Sequence, residues 1–541
     1  MIVNDFLKQT LEKSPDKTAI IAADGEVTFR ELDKMASAVA RMLQDAGIKR
    51  GEKVALHFGD EEAIHFEACY FGCLKIGVIP APLNTRWAKP EKRYVLEHSD
   101  AVGFMVGAGD PAEFADLVSG EPVEIEGRPA ELKLLHFWAA GAEVPAGWQA
   151  LDPILQSGPT DYQEPEPPIG SHDPCDLLYT SGTTGMPKGV LTPHANIAGE
   201  GGFGNIGELI GQFFGERMLH AVPIFGFTGL HGLVLLNIRA GVTQVIRPKF
   251  DVDDFLNSIE QYRPTSLMGV PTMLNLLMKS PRVKDIDASS LQLVFFGAAQ
   301  MQPDTIKRMM EVWPGVMMLN GYSMTEAGAA GGCFMGPNPE DHLNHPGSVG
   351  KPMGGEVIIV DNQGNPLPSG QVGEICFRTD AARRSYYKGE DRTKELWRGG
   401  MLHTGDVGYI DSDGYVYITD RMKDMINRGG YNIYALEVEK VLLEHPDILE
   451  AAVVGIPHPD LGEDVLAVVV PKPGKVGGEG SLEPKAIYEY CKQHLADYKC
   501  PRHVVFLDAL PKNAMQKILK PNLRDSYRDL ITSSPKYAGQ A

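Results

Sequence analysis

The sequence predicts an α/β protein with two domains of unequal size, on three observations. The chain has 541 residues, more than one typical domain holds. Up to residue 322, short apolar runs alternate with helical patterns, which is typical of parallel sheets with crossover helices. After Arg421 the order of the patterns changes. We therefore expect residues 1–420 to form a large N-terminal domain of two doubly wound sheets plus a small β unit, and residues 421–541 to form a smaller α+β domain.

The first predicted sheet lies within residues 18–83. The apolar runs TAIIA, KVALHF and VIPAPL are separated there by two longer helical patterns, so we expect parallel strands joined by helices. The first of these helices has its own boundary signals. Thr28 and Glu31 form a T-x-x-E capping box at its start, and Gly47 lies near its end.

The second predicted sheet follows an extended connector. Residues 158–174 hold five prolines, a composition that favours extended chain. Beyond this connector, four apolar runs predict strands at 177–181, 265–270, 291–297 and 316–322. Helical patterns lie between these runs at 253–261, 271–279 and 303–312. The alternation predicts a second doubly wound sheet.

Two smaller groups of elements complete the predicted fold. Between residues 346 and 420 the helical patterns stop, and the runs EVIIVD, GEICFR and GYVYITD predict a small antiparallel β unit. Beyond Arg421 we expect a compact α+β domain. Its predicted elements are an amphipathic helix with Val438, Val441 and Leu442, strands at 451–456, 465–471 and 503–507, and a helix at 482–496.

The composition excludes several classes of protein. With 43% hydrophobic and 23% charged residues and no uninterrupted apolar run of about 18 residues, we expect a globular protein without a transmembrane segment. Asp5, Lys8 and Glu12 occupy positions where an export signal would be apolar, so we expect a cytoplasmic protein. A net charge of −20 argues against a nucleic-acid partner. Seven scattered cysteines without a C-x-x-C pair predict reduced, buried thiols.

Residues 179–190, YTSGTTGMPKGV, have the composition of a phosphate-binding loop. Small residues let backbone N–H groups approach a phosphate, and hydroxyl and ammonium groups add donors. The Walker A pattern fails, because Pro187 stands where its second glycine is required and Gly189 stands where it requires Ser or Thr. Kinases and P-loop NTPases are therefore disfavoured.

A second glycine pattern, GFGNIG at residues 202–207, matches the dinucleotide fingerprint G-x-G-x-x-G. It follows the helical pattern HANIAGE, whereas the fingerprint follows a strand. Phe227 occupies the position 20 residues further on, where the fingerprint requires an acid for the ribose. We therefore do not interpret this stretch as a dinucleotide site.

The string from Leu177 to Lys188, followed by PHANI, resembles the phosphate loop of the adenylate-forming superfamily. This superfamily includes acyl- and aryl-CoA synthetases, nonribosomal peptide adenylation domains and beetle luciferases. Other segments of the chain resemble its motifs in the same order. They are NGYSMTEAG (320–328) for adenine and magnesium, HTGDVGYIDSDGYVYITDR (403–421) for ribose, RMKDMINRGGYNIYALEVE (421–439) for the hinge and thiol tunnel, and LPKNAMQKILK (510–520) for the catalytic lysine. The resemblance covers nearly the whole chain.

The resemblance implies an acid–thiol ligase that works in two half-reactions. A carboxylate attacks the α-phosphate of ATP to give an acyl-adenylate and pyrophosphate, and a thiol then displaces AMP. Because the first step brings two anions together, the site must supply positive charge. The implied cofactors are ATP, Mg²⁺ and coenzyme A.

The resemblance also implies which residues hold the phosphates and the metal. Lys188 would bind the β- and γ-phosphates and then the departing pyrophosphate, together with the preceding loop residues. Those residues are Thr180, Ser181, Gly182, Thr183, Thr184 and Gly185. Glu326 would hold Mg²⁺ through a hard oxygen ligand, and Thr325 would reach the α-phosphate.

Adenine and ribose contacts follow from the same resemblance. Asp406 would accept hydrogen bonds from both ribose hydroxyls, and Arg421 would donate on the same side. The adenine would lie against two backbone segments. Their residues are Asn320, Gly321 and Tyr322 in one and Gly297, Ala298 and Ala299 in the other.

In the C-terminal part, the resemblance makes Lys517 the lysine that bridges the substrate carboxylate and the α-phosphate, a task that suits a point charge on a long stem. Lys423 matches the hinge about which the C-terminal domain of the family moves. Gly429 and Gly430 would line the thiol tunnel, since the absence of a Cβ permits close passage. A capping role for the glycines and a surface role for Lys423 stay open.

The implied acid pocket departs from the common pattern. Gly226 stands where many relatives carry a gating histidine, and Gln516 stands where a glycine usually precedes the catalytic lysine. The implied pocket segments, residues 199–209 and 225–229, are glycine-rich and apolar and hold no Arg, Lys or Asp suited to a second charged group on the substrate. This composition favours a fatty or aryl acid. The implied pocket residues are Gly204, Phe225, Gly226, Phe227 and Ser323.

Two other functions stay open at this point. The chain could be a stand-alone adenylation enzyme that loads a separate acyl carrier protein, since it contains no G-x-D-S-L segment of an attached carrier. It could also be a nucleotide-binding relative without catalysis, which Gly226 and Gln516 would favour. The sequence does not fix the oligomeric state, and a homodimer stays open.

Overall fold

The structure is a computed structural model that divides into two compact units. The first comprises Met1–Ile358, Cys376–His403 and Asp413–Val416, and the second comprises Ile359–Ile375, Thr404–Ser412 and Tyr417–Ala541. The large α/β part and the smaller C-terminal α+β part confirm the predicted fold class. The structure describes residues 1–119, 124–125, 128–129, 132–141, 143–180, 186–199, 213–328, 331–353, 355–475, 482–512 and 517–531.

The strands of the described chain alternate with helices through most of the first unit. In chain order they are β1 Thr18–Ala22, β2 Gly25–Thr28, β3 Lys53–His57, β4 Ile79–Pro82, β5 Ala101–Val106, β6 Glu124–Ile125, β7 Arg128–Pro129, β8 His136–Ala139, β9 Gln149–Ala150, β10 Pro174–Thr180, β11 Lys188–Pro193, β12 Arg217–His220, β13 Thr243–Ile246, β14 Ser266–Met268, β15 Leu293–Gly297, β16 Met317–Tyr322, β17 Gly332–Met335, β18 Ser348–Met353, β19 Glu356–Val360, β20 Gly373–Arg378, β21 Ser385–Tyr386, β22 Leu402–Ile410, β23 Val416–Arg421, β24 Ile426–Arg428, β25 Tyr431–Ile433, β26 Ile448–His458, β27 Gly462–Pro471 and β28 His503–Phe506.

The helices of the first unit lie mainly between parallel strands. They are α1 Asn4–Lys13, α2 Phe29–Asp45, α3 Ala63–Lys75, α4 Lys89–His98, α5 Pro111–Ser119, α6 Asp152–Ser157, α7 His194–Ala198, α8 Phe227–Gly229, α9 Leu235–Ala240, α10 Val252–Tyr262, α11 Pro271–Lys279, α12 Pro303–Val312, α13 Pro339–Asn344 and α14 Glu390–Leu396. A π-helical segment, Leu230–Val234, joins α8 to α9. At α2, Thr28 and Glu31 form the predicted capping box. Among the described helices, none combines the length and the apolar character needed to cross a membrane.

Within the first unit, the strands of the larger sheet have the order β18-β17-β16-β15-β14-β12-β13-β1-β2. Its central strands β12 to β16 are parallel, and alternate residues along them enter two separate apolar clusters. Leu293 belongs to one cluster and its neighbour Val294 to the other. Both faces of this sheet are therefore covered, as expected for a doubly wound sheet. A second, parallel sheet has the order β4-β3-β5-β8-β9.

Three details of the predicted fold are wrong. Strand β1 pairs with β13 of the larger sheet, whereas it was expected beside β3 and β4. Strand β10 lies in a separate antiparallel sheet with β11 and β21, because too few residues separate β10 from β11 for a crossover connection. Helix α14 interrupts the β unit, with Glu390 and Asp391 in its first turn and Lys394 in its last, which suits the helix dipole.

The second unit contains a small sheet with the order β25-β24-β27-β26, and β28 pairs in parallel with β27. Alternate residues of β26 and β27 enter two apolar clusters, so helices can cover both faces. Val453 and Val465 lie in one cluster, whereas Val454 and Leu466 lie in the other. The helices of this unit are α15 Ala435–Leu443, α16 Pro484–His494 and α17 Lys520–Tyr527. The predicted C-terminal elements are thus present.

All seven cysteines lie within the described residues, where they are buried and form no disulfide. Burial raises the pKa of their thiols where a shift is resolved, to about 12 at Cys491. This confirms the prediction that the thiols are buried.

Candidate active site

The carboxyl ends of β15 and β16 meet at one edge of the larger sheet. Gly297 ends β15 and pairs with Gly321 of β16. A Cβ on Gly297 would lie 2.3 Å from the carbonyl oxygen of Gly321, so only glycine permits this approach. Ala298 follows with φ of 67°, a left-handed conformation that is uncommon for alanine, and both Ala298 and Ala299 are exposed. Ligands of open α/β sheets bind at such an edge.

Residues 320–323 leave the same edge and enter a tight turn. Asn320 is buried and its side-chain amide donates to the carbonyl of Ser348, and the Tyr322 ring stacks near Phe377 with centroids 6.5 Å apart. The Ser323 hydroxyl donates to the carbonyl of Gly328 at 2.5 Å. This bond closes the segment that contains Thr325 and Glu326. We call residues 323–328 the Ser323–Gly328 turn.

Strands β10 and β11 flank the predicted phosphate loop. Thr180, the last residue of β10, pairs with Lys188, the first residue of β11. The loop residues Ser181, Gly182, Thr183, Thr184 and Gly185 lie outside the described residues. The Lys188 ammonium lies 5.9 Å from the centroid of the Tyr386 ring. Partial burial lowers the pKa of Lys188, with a further contribution from Arg392, while the charge of Glu326 acts in the opposite direction.

Tyr386 connects Lys188 with the candidate metal residue. Its hydroxyl donates to Oε1 of Glu326 at 3.0 Å, while its ring lies beneath the Lys188 ammonium. Burial raises the pKa of Tyr386, and the charge of Glu326 adds to this rise, so the hydroxyl stays protonated and remains a donor. One side chain therefore holds a cation and a carboxylate in the same place.

This donor set fits magnesium bound with phosphate. Mg²⁺ prefers hard oxygen ligands and is usually held by one or two carboxylates together with substrate phosphates and water. Glu326 offers one such carboxylate and Lys188 offers an ammonium group over the Tyr386 ring, and their roles toward magnesium and phosphate stay predictions.

A buried polar network lies behind the Ser323–Gly328 turn. Asp176 on β10 accepts hydrogen bonds from the Tyr70 hydroxyl at 2.7 Å and from His231 Nε2 at 2.6 Å. The other ring nitrogen of His231, Nδ1, lies 3.0 Å from Nη2 of Arg384. The side chains of Asp176, His231 and Arg384 are fully buried. The guanidinium of Arg384 also lies 5.2 Å from the centroid of the Phe227 ring.

The partners of His231 fix its protonation state. A guanidinium has only donors, so Nδ1 of His231 must accept from Arg384, and Nε2 must carry the proton that is donated to Asp176. Burial lowers the pKa of His231, which agrees with a neutral ring. Burial alone would raise the pKa of Asp176, but the charges and hydrogen bonds of its neighbours outweigh it and lower the pKa. The network thus holds one anion and one cation around a neutral imidazole.

The predicted acid-pocket residues that the structure describes lie after β12 and at the start of α8. Phe225 is buried, whereas Gly226 and Phe227 are half-buried. The backbone N–H of Ile224 donates to Oδ1 of the buried Asp60 at 3.0 Å, which anchors this stretch. Gly204 lies outside the described residues, and Ser323 belongs to the turn described above.

Within the second unit, Asp406 and Arg421 are brought together. Nε of Arg421 lies 3.4 Å from Oδ1 of Asp406, although 15 positions separate them in the sequence. Arg421 is exposed and Asp406 is largely buried. Lys423 is exposed two residues further on, and desolvation of its ammonium followed by repulsion from Arg421 lowers its pKa to about 8.

Gly429 and Gly430 form the turn between β24 and β25. Both have positive φ, 59° and 88°, which explains a glycine pair at this turn without reference to a ligand. The N–H of Gly429 donates to the carbonyl of Leu461, and the N–H of Gly430 donates to the side chain of Asn427. Their predicted role in a thiol tunnel stays a prediction.

Lys517 is exposed and lies just before α17. Gln516 lies outside the described residues, whereas Lys512 and Ile518 form a β-bridge around this segment. Helix α17 is anchored by two ion pairs of its own unit, Lys520 with Glu439 at 2.8 Å and Arg524 with Asp424 at 2.9 Å. The backbone that carries Lys517 is therefore tied to the segment that carries Lys423.

No sequence motif points to Asp176, His231, Arg384 or Tyr386. Asp176 carries a usable signal, since an acid within the apolar run of β10 must find a buried partner. The other three lie in segments that gave no pattern, and only the fold brings them to Asp176 and Glu326.

Comparisons with known proteins identify the family of the chain. Residues 7–387 match the model of a family described as AMP-binding enzyme, and residues 437–517 match the model of the AMP-binding enzyme C-terminal domain. The chain is 31% identical over 531 residues to the long-chain-fatty-acid–CoA ligase FadD13 of Mycobacterium tuberculosis, covering 96% of this chain and 98% of the relative. It is 33% identical over 515 residues to a feruloyl-CoA synthase of an Amycolatopsis species, covering 94% and 96%.

A solved structure is similar over nearly the whole length. The crystal structure of ATP-bound MatB from Rhodopseudomonas palustris superposes with a TM-score of 0.83 at 28% identity, covering 98% of this chain and 100% of that one.

Proposed function

The chain belongs to the AMP-binding enzyme family, as its motifs predicted, and we propose that it activates a carboxylic acid with ATP and transfers the acyl group to coenzyme A. It is an enzyme of the acyl-CoA ligase type, and the acyl-CoA ligases of this family use ATP, Mg²⁺ and coenzyme A. The division of labour that we propose assigns residues 1–420 to nucleotide and acid binding. Residues 421–541 would form the mobile domain that carries Lys517.

One observation carries the proposal. Tyr386 holds the carboxylate of Glu326 by a hydrogen bond and underlies the ammonium of Lys188, at the edge where β15 and β16 end. A carboxylate for a divalent cation and a cation for phosphate oxygens are the two groups that a magnesium–nucleotide site requires. This pairing supports Mg-ATP as the ligand of the edge.

In the first half-reaction, an oxygen of the substrate carboxylate would attack the α-phosphorus of ATP, and the bond to the β-phosphate would break. Lys188 would bind the phosphates and stabilise the departing pyrophosphate, while Lys517 would offset the charge where the two anions meet. Thr325 would donate to the α-phosphate, and Asp406 with Arg421 would orient the ribose. Magnesium held by Glu326 would neutralise part of the phosphate charge.

In the second half-reaction, the sulfur of coenzyme A would attack the acyl carbon and AMP would leave with the electrons of the broken carbon–oxygen bond. The thiol proton would be lost to solvent. Gly429 and Gly430, which carry no Cβ, would let the pantetheine arm pass, and Lys423 would act at the hinge.

For the substrate, we propose a fatty or aryl acid. Phe225 and Phe227 give the candidate pocket an apolar wall, and the buried guanidinium of Arg384 beside Phe227 is already balanced by Asp176. A second carboxylate on the substrate would therefore meet no unbalanced cation at this wall. The long-chain-fatty-acid and feruloyl relatives lend support to both acid classes.

The deciding experiment measures pyrophosphate release with a panel of fatty, cinnamic, benzoic and short acids, in the presence of ATP, Mg²⁺ and free coenzyme A. Thioester formation with coenzyme A is the expected result. Adenylate without thioester would instead favour an enzyme that loads a separate carrier protein. Absence of AMP with every acid would overturn the proposal.

A further inference from the structure

We propose that Arg384 is a positioning residue for the Ser323–Gly328 turn, which it holds in place through a fully buried charge network with Asp176 and His231. The assignment of Glu326 to magnesium and of Thr325 to the α-phosphate rests on the proposed function. The network itself rests on contacts and burial.

Arg384 donates to three different acceptors. Its Nη1 donates to the backbone carbonyl of Thr325 at 2.8 Å, its Nε to Oδ1 of Asn196 at 2.8 Å, and its Nη2 to Nδ1 of His231 at 3.0 Å. The planar fork of a guanidinium suits acceptors that lie on several sides, whereas a lysine ammonium is a single point charge. The geometry therefore demands arginine and not merely a positive charge.

The network reaches the turn a second time through Asn196. The amide nitrogen of Asn196 donates to the carbonyl of Ala327 at 3.2 Å and to that of Ala382 at 2.7 Å. Glu326 lies between the two anchored carbonyls, those of Thr325 and Ala327. The carboxylate of Glu326 accepts a hydrogen bond from the hydroxyl of Tyr386, which is two residues after Arg384 in the chain. The backbone on both sides of the candidate metal residue is thus fixed.

Gly328 shows how closely the turn approaches the network. Its φ is +61°, and a Cβ there would lie 2.2 Å from Oδ1 of Asn196 and 2.3 Å from Nη2 of Arg384. A side chain at this position would displace the guanidinium or the turn. The end of the turn and the network are therefore packed as one unit.

Asp176 makes the buried cation tolerable and extends the network to strand β10. A guanidinium without solvent is costly unless an anion balances it, and Asp176 does so through the neutral ring of His231. Asp176 lies on β10, which ends at Thr180, the first of the predicted phosphate-binding residues. The same charge pair therefore links the strand that leads into the phosphate loop with the turn that carries Glu326.

The test compares Arg384→Lys with the matched control Arg383→Lys. Arg383 is the preceding residue, is exposed, and stacks its guanidinium 4.9 Å from the Trp397 ring. Both variants keep a positive charge, but only the first removes the three-acceptor fork. Two quantities are measured on the full chain: amide hydrogen exchange of a peptide covering residues 323–328 without ligand, and the Kd of Mg-ATP by calorimetry.

For Arg384→Lys we expect exchange in residues 323–328 at least about tenfold faster and a Kd about tenfold higher, with changes below about twofold for Arg383→Lys. A folded Arg384→Lys protein with both quantities within about twofold of wild type would overturn the proposal. If Arg384→Lys does not fold, the test uses His231→Gln instead, which alters one of the three acceptors of Arg384. This variant should speed exchange by about threefold or more, and unchanged exchange would overturn the proposal.

These results are separable from the proposed function. Hydrogen exchange is read without ATP, acid or coenzyme A, so it decides the positioning role whatever the enzyme acylates. A wild-type protein that forms no AMP with any acid would instead overturn the proposed function alone.

Discussion

The hydroxyl of Tyr386 offers a direct test of how the candidate metal carboxylate is held. Tyr386→Phe deletes one hydrogen bond, from the hydroxyl to Oε1 of Glu326 at 3.0 Å, and keeps the ring beneath Lys188. A hydrogen bond to a charged group contributes about 1.5–3 kcal/mol. Because Glu326 is only half-buried and the bond has ordinary length, the lower value of about 1.5 kcal/mol applies. This corresponds to about a tenfold change in an equilibrium constant.

The assay is ATP–pyrophosphate exchange with the best acid of the panel, titrated with Mg²⁺. We expect the half-saturating Mg²⁺ concentration to rise about tenfold, because a free carboxylate must be ordered again when the metal binds. The rate at saturating Mg²⁺ should change by less than about twofold, because Tyr386 has no proposed contact with the reacting atoms.

The neighbouring tyrosine supplies the control. The hydroxyl of Tyr387 donates to a different carboxylate, Asp100, at 2.7 Å, and accepts from Lys53 at 2.9 Å. Tyr387→Phe therefore loses a comparable bond to a carboxylate, together with the bond from Lys53, away from Glu326. An equal Mg²⁺ shift in both variants, or no shift in Tyr386→Phe, would refute the reasoning.

Three further predictions concern other parts of the chain. Lys517→Ala should slow adenylation by about 10²- to 10³-fold, the scale of one oriented charge donor, while thioester formation from synthetic acyl-adenylate continues; an equal fall in both half-reactions would contradict the role. Asp176→Asn should lower the free energy of unfolding by about 3 kcal/mol in chemical denaturation, because Arg384 loses its counter-charge, and Arg384→Met in the same chain should restore most of it. Burial raises the pKa of Glu67 to about 8, against the effect of its hydrogen bond from Gln244, so the native state binds the proton more tightly than the unfolded state does. Between pH 4.5, the pKa of this group in the unfolded chain, and pH 8, the free energy of unfolding of the wild type therefore falls as pH rises. Glu67→Gln lacks this titration, so its free energy of unfolding relative to wild type should rise by about 1.4 kcal/mol per pH unit in that window. A difference that does not change with pH would contradict this.

The parts of the fold that local sequence determines were predictable. Thr28 and Glu31 begin α2 as expected, because a capping box acts within one turn. The partner of β1 was not predictable in the same way, since strand pairing joins distant segments and the alternation of strands and helices does not say which sheet a strand enters. For β10, the composition of the strand indicated burial but not the antiparallel hairpin with β11.

The candidate site shows the same division. Lys188 and Glu326 belong to contiguous motifs, so a resemblance could identify them, and their nucleotide roles stay predictions. Asp176, His231 and Arg384 gave no such pattern, because His231 lies 55 residues from Asp176 and 153 from Arg384. Only the fold brings these three side chains together. The apolar neighbours of Asp176 were the one local sign that an acid was buried there.

The burial of every cysteine bears on the chemistry of a reactive mixed anhydride. A buried thiol whose pKa is raised by burial, such as that of Cys491, is a poor nucleophile, because the thiolate is the attacking form. An acyl-adenylate formed at the edge of the sheet would therefore meet the incoming cofactor sulfur without competition from these side chains, and self-acylation at cysteine would be suppressed. Because the cysteine thiols are buried, a thiol-reactive dye used on the native protein would report consumption of the cofactor thiol with little signal from the protein itself.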